Sequence, residues 1–301
     1  MDPKVRFPVR VYLLLALAMV TWGVSWSSGK VVSVYTTPEI IMFWRFLITS
    51  LFMIPAVIFF DRNFKVNRRA ALYILAGAIL LTFYNYLFFR GLFYGLAGRG
   101  GVMVTTLNPL ITFFIATFIF THRFNRHEIA GLLLGLLGGL IMLRLNTFSF
   151  TDLVDSGNLY FVSAAVVWAF MTILSQKSGK DLSAIKFTFY IHMLSTLMNF
   201  ILIFREPWRD VVDYGSMFWF NIFYMAVIAT SFGTTIYFMA SSKLGSKKSS
   251  SFIFIVPSSA LMAAVLFLNE KPHWTLVSGG VISLGAVYLI NYQKKMKIAP
   301  V

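Results

Sequence analysis

A pattern of long apolar segments occurs twice in the chain, in two halves offset by about 148 residues. Trp22 in the first half corresponds to Trp168 in the second. Further along each half, TFYNYLFFRGL at 82–92 corresponds to SFGTTIYFMAS at 231–241. A duplication on this scale requires any fold proposed for the chain to consist of two related units.

The composition places both units in a membrane. Hydrophobic residues make up 58% of the 301 positions and charged residues 12%, whereas soluble domains carry about 25% charged residues. A hydrocarbon core of about 30 Å requires about 20 apolar residues in a helix. We expect an all-α polytopic membrane protein with homologous halves 1–146 and 147–301. Its ten predicted spans are 11–33, 38–60, 70–94, 98–120, 127–145, 157–177, 184–204, 217–241, 247–269 and 273–292.

The basic residues predict the orientation of these spans. The net charge of +15 would suggest nucleic-acid binding in a soluble protein, but most of the 26 Lys and Arg residues lie in short connections between spans. They gather on the side that holds both termini, which the positive-inside rule assigns to the cytoplasm. Because five spans per half is an odd number, the halves are expected to be inverted around a shared cavity. No nucleic-acid partner is expected.

Several short motifs occur in a characteristic order along the chain. They are Trp22-Gly23 in span 1, Arg45-Phe46 in span 2, a proline in spans 4 and 9, Asn269-Glu270-Lys271-Pro272 before span 10, and glycine-rich spans 5 and 10. The chain resembles the drug/metabolite transporter superfamily, specifically proteins with two EamA-type five-helix repeats. The resemblance implies ten helices in inverted repeats around a central pathway for amino acids and other small metabolites, often moved outward. The residue that answers Glu270 in the first half is His122, where the family often has glutamate.

Polar and aromatic residues near the middle of the spans are the candidates for this pathway. Polar groups in hydrocarbon must find partners, so they are expected to face the bundle interior. Trp22 lies about 12 residues into span 1, too deep for an interfacial anchor, so we expect it to form an apolar cavity wall with Trp168. The predicted cavity residues are Trp22, Arg45, Tyr84, Asn85, Thr105, Asn108, Trp168, Thr234 and Tyr237.

Arg45 lies about seven residues into span 2, where an arginine is costly unless it meets carbonyls, water or an anion. Two interpretations remain open. Arg45 either ties span 2 to a neighbour, with Glu270 as a candidate partner, or attracts a carboxylate or phosphate of the solute. Lys30 and Arg90, like Glu270, are placed at the outer ends of spans, where long side chains reach the interface.

Prolines mark two positions at which spans are expected to bend. Pro109 and Pro257 interrupt spans 4 and 9, because proline removes a backbone hydrogen bond and clashes with the preceding turn. Each bend is either a hinge for transport or a static kink. Asn108 and Thr105 lie on the turn before Pro109 and are candidates for solute coordination.

Glycines in span 5 predict close helix packing. Gly131, Gly135 and Gly139 form two GxxxG steps, which let helices approach within a protomer or across a dimer. Span 10 is the expected packing partner, since it carries Gly279, Gly280 and Gly285 at corresponding places. A monomer and a homodimer are both compatible with this pattern.

His192 is the only titratable acid or base near the middle of a span. It is either a histidine whose hydrogen bonds are satisfied inside the bundle or part of a proton relay. Because the span centres contain no carboxylate, we hypothesise that transport is facilitative or only weakly coupled to ions.

The predicted function is transport of small organic metabolites, amino acids first, by alternating access through the central cavity, with export as the expected direction. A nucleotide-sugar or sugar-phosphate antiporter and a lipid flippase are alternatives on the same fold. An enzyme is not expected, because HExxH, GxSxG and paired carboxylates are absent from the sequence. With 4 His, 11 acidic residues and no Cys, neither a metal site nor a cofactor is expected. The expected location is the cell membrane.

Overall fold

The computed structural model describes residues 9–120, 125–143, 157–271 and 274–291. These ranges form ten helices: α1 (Val9–Ser33), α2 (Pro38–Asp61), α3 (Arg68–Tyr94), α4 (Ala97–Phe120), α5 (Arg126–Leu143), α6 (Asn158–Ser178), α7 (Ala184–Ile203), α8 (Ser216–Leu244), α9 (Ser246–Leu268) and α10 (Trp274–Asn291). Nine are long and apolar enough to cross a membrane, and α10 has a shorter apolar stretch. The predicted all-α polytopic membrane fold is therefore confirmed.

Polar caps and proline fix where several helices begin. Pro38 opens α2, where its missing N–H costs nothing because the first helical N–H groups have no intrahelical partner. Asn67 Oδ1 accepts a hydrogen bond from Ala70 N at 2.7 Å at the start of α3. Ser183 Oγ accepts from Lys186 N at 3.1 Å at the start of α7. Such caps stop the chain from continuing one helix into the next.

The helix contacts repeat when the two halves are exchanged. The first helix of one half, α1, packs on α8 and α9, and the first helix of the other half, α6, packs on α3 and α4. The pairs α2–α7 and α5–α10 join equivalent helices. With five consecutive helices per half, this exchange relates two bundles that run in opposite directions, as the inverted-repeat fold requires. In this arrangement the centre of the bundle is surrounded by α1, α3, α4, α6, α8 and α9.

The α5–α10 pair is close enough for backbone contact. A Cβ atom on Gly138 would lie 2.8 Å from Gly279 O, and one on Gly279 would lie 2.6 Å from Gly138 O. Among the predicted glycines, Gly131 also faces α10, whereas Gly135 and Gly139 lie against Phe254 of α9 and Thr106 of α4. The glycine-rich face of α5 thus contacts three helices.

Two central helices of the second half are irregular. In α8, residues Tyr224–Thr234 form a π-helical segment, and in α9 a 3-10 turn covers Phe252–Ile255 just before Pro257. By contrast, α4 passes Pro109 as one continuous helix. A π-helical segment shifts the hydrogen-bonding register and makes backbone carbonyls available to other groups, which is why such segments are frequent at functional sites.

Candidate functional site

A cavity lies between the two halves, at the middle of the helices. The space not filled by protein atoms measures about 610 Å³, and the centres of water-sized molecules fit in about 50 Å³ of it. Eight of the nine predicted residues line it: Trp22, Arg45, Tyr84, Asn85, Thr105, Asn108, Trp168 and Thr234. The remaining lining residues are His192, Ser25, Trp26, Leu81, Phe88, Val104, Thr230, Ile253 and Val256.

Tyr237 is the predicted cavity residue that the structure places elsewhere. It is fully buried behind the cavity wall, with its ring 4.8 Å from Trp22 and 6.2 Å from Trp168. Its hydroxyl lies 2.9 Å from Thr172 Oγ1. Tyr237 lies three residues beyond Thr234, which is about 4.5 Å along the helix axis. It is therefore displaced from the cavity toward the Leu244 end of α8.

Arg45 projects into the cavity and holds three helices together. Its Nη1 donates to Asn85 Oδ1 of α3 at 2.8 Å, and its Nη2 donates to Thr230 Oγ1 of α8 at 3.0 Å. Asn85 is itself fixed, since its Nδ2 donates to Leu81 O at 2.9 Å. The Arg45 Nε atom is buried without a hydrogen-bond partner. The predicted alternative partner, Glu270, lies at one end of the bundle and does not reach Arg45.

No acidic side chain of the described residues lines the cavity, so the guanidinium of Arg45 faces it without a neutralising carboxylate. Both of its hydrogen-bond partners are neutral. A cation in surroundings of low dielectric attracts an anion strongly, and a planar guanidinium matches a carboxylate with paired hydrogen bonds. The arrangement therefore provides a binding position for an anionic group.

The two repeat-related tryptophans form one aromatic wall. The rings of Trp22 and Trp168 lie 5.1 Å apart at 82°, and the ring of Tyr84 lies 4.5 Å from Trp168. Trp22 Nε1 donates to Ala229 O at 3.0 Å, within the π-helical segment of α8. This bond fixes the indole orientation, because few other rotamers of Trp22 keep the donor on that carbonyl.

His192 contributes a defined hydrogen-bonding atom to the cavity. The side chain is buried, and Nδ1 lies 2.7 Å from Thr188 O. A carbonyl oxygen only accepts, so Nδ1 carries the proton of the neutral ring and Nε2 is left as an acceptor. The ring of Phe46 packs against His192 edge to face at 5.5 Å. Sequence reasoning left the role of His192 open, because helix rotation decides which way a ring points.

Asn108 and Thr105 line the wall but use their polar groups within the protein. Asn108 Nδ2 donates to Ala165 O of α6 at 3.1 Å, and its Oδ1 accepts from Thr112 Oγ1 at 3.4 Å. Thr105 Oγ1 donates to Gly101 O. Asn108 therefore ties α4 to α6 beside Pro109.

Two charged residues, Lys30 and Glu270, contact helix ends at one end of the bundle, which we call the Lys30 end. Lys30 Nζ donates to Leu92 O, in the last turn of α3, at 2.6 Å. The carboxylate of Glu270 accepts from the backbone N–H groups of Ala97 and Gly98, which begin α4. A Cβ on Gly98 would lie 2.8 Å from Glu270 Oε2, so glycine allows this approach. We call this arrangement the Lys30–Glu270 latch.

The charge of Glu270 is held in a partly buried position. Burial raises the pKa of its carboxyl group, and the two N–H groups together with the positive charges of Lys30 and Arg99 act in the opposite direction. Arg90, also predicted near this end, lies outside the latch and donates from Nε to Tyr86 OH at 3.3 Å. His122 and Pro272 lie outside the described residues.

At the opposite end of the central bundle, neutral groups join the helices. Ser241 Oγ donates to Thr172 O at 2.9 Å, and Tyr237 OH lies beside Thr172 Oγ1. Gln176 Oε1 accepts from the backbone N–H of Ser246 at 2.8 Å, where α9 begins. Ser246 is the residue that corresponds to Gly98 at the offset of about 148 residues. The start of α4 is thus held by the carboxylate of Glu270, and the start of its equivalent helix α9 is held by the amide of Gln176.

Ten helices, in two halves whose contacts repeat on exchange, surround a central cavity, and this arrangement is typical of multi-pass membrane transporters. The EamA-like transporter family matches residues 9–144 and 155–292. The chain belongs to this family.

Relatives support the same class of protein. The chain is 22% identical to the uncharacterized transporter YvbV of Bacillus subtilis, over 96% of this chain and 94% of that one. It is 22% identical to the S-adenosylmethionine uptake transporter of Rickettsia prowazekii, over 86% of this chain and 84% of that one. A crystal structure of a protein with 16% sequence identity has the same fold, with a TM-score of 0.72 over 95% of this chain and 97% of that chain.

Proposed function

We propose that the protein carries small organic metabolites that bear a carboxylate, amino acids first, through the central cavity by alternating access. The observation that supports this most directly is Arg45, a guanidinium facing the cavity with a buried, unpartnered Nε. A solute carboxylate would supply the missing anion at low cost, because Asn85 and Thr230 already hold the guanidinium in place.

The size of the cavity is consistent with an occluded state of such a cycle. The free volume of about 50 Å³ is far below the roughly 300–1,000 Å³ of pockets that hold small organic ligands. A metabolite therefore enters only when one end opens and the walls separate. The Lys30–Glu270 latch and the Tyr237–Thr172 contact are the groups that must part, and we propose the turn before Pro257 as the bend that accompanies opening.

The charge of the cavity favours one class of solute. A nucleotide sugar or sugar phosphate carries more negative charge than one arginine neutralises, and Arg45 is the only Lys or Arg among the described lining residues. S-adenosylmethionine is a second candidate, with uptake as the direction. Its carboxylate suits Arg45, its sulfonium suits the faces of Trp22, Trp168 and Tyr84, and relatives are named as its uptake transporters.

Counterflow into reconstituted vesicles tests the proposal. A panel of labelled L-amino acids, S-adenosylmethionine and uncharged sugars is offered to the wild-type protein, to Arg45→Gln and to Arg90→Gln. We expect counterflow of a carboxylate-bearing solute that falls about 10- to 100-fold in Arg45→Gln. The Arg90→Gln control, on the far side of α3 from the cavity wall, should keep wild-type rates. Absence of any carboxylate counterflow, or full activity in Arg45→Gln, would contradict the proposal.

The remaining features of the arrangement are part of the same proposal. The two repeats are 1–146 and 147–301, both termini lie in the cytoplasm and the membrane is the cell membrane. The basic connections support the orientation with cytoplasmic termini. Export is the proposed direction for amino acids, because the family often moves solutes outward.

A further inference from the structure

The polar groups around the cavity include one cationic donor, several acceptors, and neutral donors such as the indole of Trp168 and the hydroxyl of Tyr84. Ser25 Oγ donates to Trp22 O at 2.7 Å and Thr234 Oγ1 donates to Ala229 O at 3.4 Å. Because the hydrogen of each hydroxyl is used within the protein, its oxygen can act only as an acceptor in this arrangement. His192 Nε2 is an acceptor because Nδ1 is committed to Thr188 O. Arg45 stands alone as the charged donor of the described wall.

The donor and the principal acceptor come from equivalent helices of the two halves. Arg45 is the eighth residue of α2 and His192 is the ninth residue of α7, and these two helices pack directly on each other. Phe46, next to Arg45 in the chain, lies against the His192 ring. The two groups therefore face the same cavity from one pair of packed helices, with their roles fixed by Asn85 and Thr188.

We propose that Arg45 and His192 form a head-group site for zwitterionic α-amino acids, in which Arg45 binds the α-carboxylate and His192 Nε2 accepts a hydrogen bond from the α-ammonium. The inference rests on the proposed function and narrows its solute class. No carboxylate of the described lining residues is available to pair with an ammonium, and His192 Nε2 is a neutral acceptor that can take this place. The ammonium–imidazole bond is charge-assisted, which makes it stronger than a bond between neutral groups.

The head-group site predicts discrimination against 2-oxo acids. A 2-oxo acid keeps the carboxylate but presents a carbonyl oxygen where the amino acid has its ammonium. Two acceptors, that oxygen and His192 Nε2, then face each other and neither is satisfied. A hydroxyl such as Ser25 can rotate to donate, whereas the neutral His192 ring cannot do so through Nε2 without taking up a proton. His192 is therefore the residue that sets this specificity.

Competition in the counterflow assay tests the inference with five matched pairs. The probes are L-alanine, L-leucine, L-methionine, L-phenylalanine and L-threonine, each beside the 2-oxo acid with the same side chain. We expect the wild-type protein to prefer the amino acid by roughly 10- to 100-fold in at least one pair. His192→Leu should weaken the amino acid by a similar factor and leave the 2-oxo acid unchanged. His192→Gln, whose amide oxygen can accept, should restore much of the preference.

The outcomes separate this inference from the proposed function. Equal competition by amino and 2-oxo acids in the wild-type protein, which needs no variant to fold, overturns the head-group site but leaves carboxylate transport intact. Equal weakening of both acids in His192→Leu also overturns it, because that result indicates a purely structural histidine. Failure of both acids in the wild-type protein overturns the proposed function together with the inference.

Discussion

Replacing Glu270 with alanine is expected to open the Lys30 end of the bundle more often. The carboxylate accepts from the N–H groups of Ala97 and Gly98, and alanine leaves both without this acceptor in the closed state. Loss of a helix N-cap acceptor costs about 0.5–2 kcal/mol. In the open state water reaches these N–H groups, so the cost falls on the closed state.

The resulting shift is measurable. A net change of about 1–2 kcal/mol corresponds to a factor of about 5–30 in the ratio of open to closed protein. Because the chain has no cysteine, Ser25→Cys places one thiol on the cavity wall, between Trp22 and the Lys30 end. Its labelling rate by a membrane-impermeant maleimide, added from the side of Lys30, reports this opening. We expect Glu270→Ala to raise that rate by about 5- to 30-fold.

A matched control is available at the same end of the bundle. Glu39 also lies in the first turn of a helix, α2, but it does not belong to the latch. Glu39→Ala should leave the labelling of Ser25→Cys unchanged. If Glu270→Ala fails to raise the rate, or if both substitutions raise it equally, the latch does not hold the end closed.

Three further results are expected. Burial raises the pKa of Glu270 above its ordinary value of 4.5, so the closed state binds the proton more tightly than a hydrated open state. Labelling of any thiol falls on acidification because the thiolate is the reactive form, and Glu270→Gln reports this fall alone. Acidification toward pH 5 should slow the labelling of Ser25→Cys further when Glu270 is present. Gly138→Leu should destabilise the protein by about 1–3 kcal/mol in thermal unfolding, because it forces α5 from α10. Gly215→Ser, with open space around it and a residue suited to its N-cap position, should not. Pro257→Ala should slow counterflow by removing the cause of the irregular turn in α9, whereas Pro109→Ala, in a continuous helix, should leave the rate unchanged.

The fold was predictable because the bilayer imposes its thickness on the sequence. Every span must carry about 20 apolar residues, so the ends of α1, α3 and α7 were visible as changes of polarity. The internal duplication then supplied the relation between the halves. The apolar length of a span is a local property of the chain, and the duplication is found by comparing equivalent positions. Neither signal requires knowledge of side-chain contacts.

The composition of the cavity was partly predictable for a similar reason. Asn85 and Thr234 were expected to face inward because hydrocarbon offers no hydrogen-bond partners, and both line the cavity. The position of Tyr237 and the neighbours of Glu270 were not predictable. They depend on the rotation of helices and on contacts between residues distant in the chain, such as the one that Glu270 makes with Gly98.

The π-helical segment of α8 left no recognisable mark in the sequence. Its apolar and small residues also fit a regular helix, and the register change follows from tertiary bonds such as Trp22 to Ala229 O and Arg45 to Thr230. The same argument applies to His192, whose role as an acceptor is decided by the carbonyl of Thr188.

Solute protection of a cysteine at Thr234 tests the shared cavity most directly. In the cysteine-free background, Thr234→Cys lies on the cavity wall and Ser241→Cys is a buried control outside it. We predict that impermeant maleimide labels Thr234→Cys from either side of the membrane, in vesicles of both orientations, and that a transported amino acid slows labelling from both sides. Labelling from one side only, or labelling that no transported solute slows, would contradict a single cavity reached alternately from the two faces.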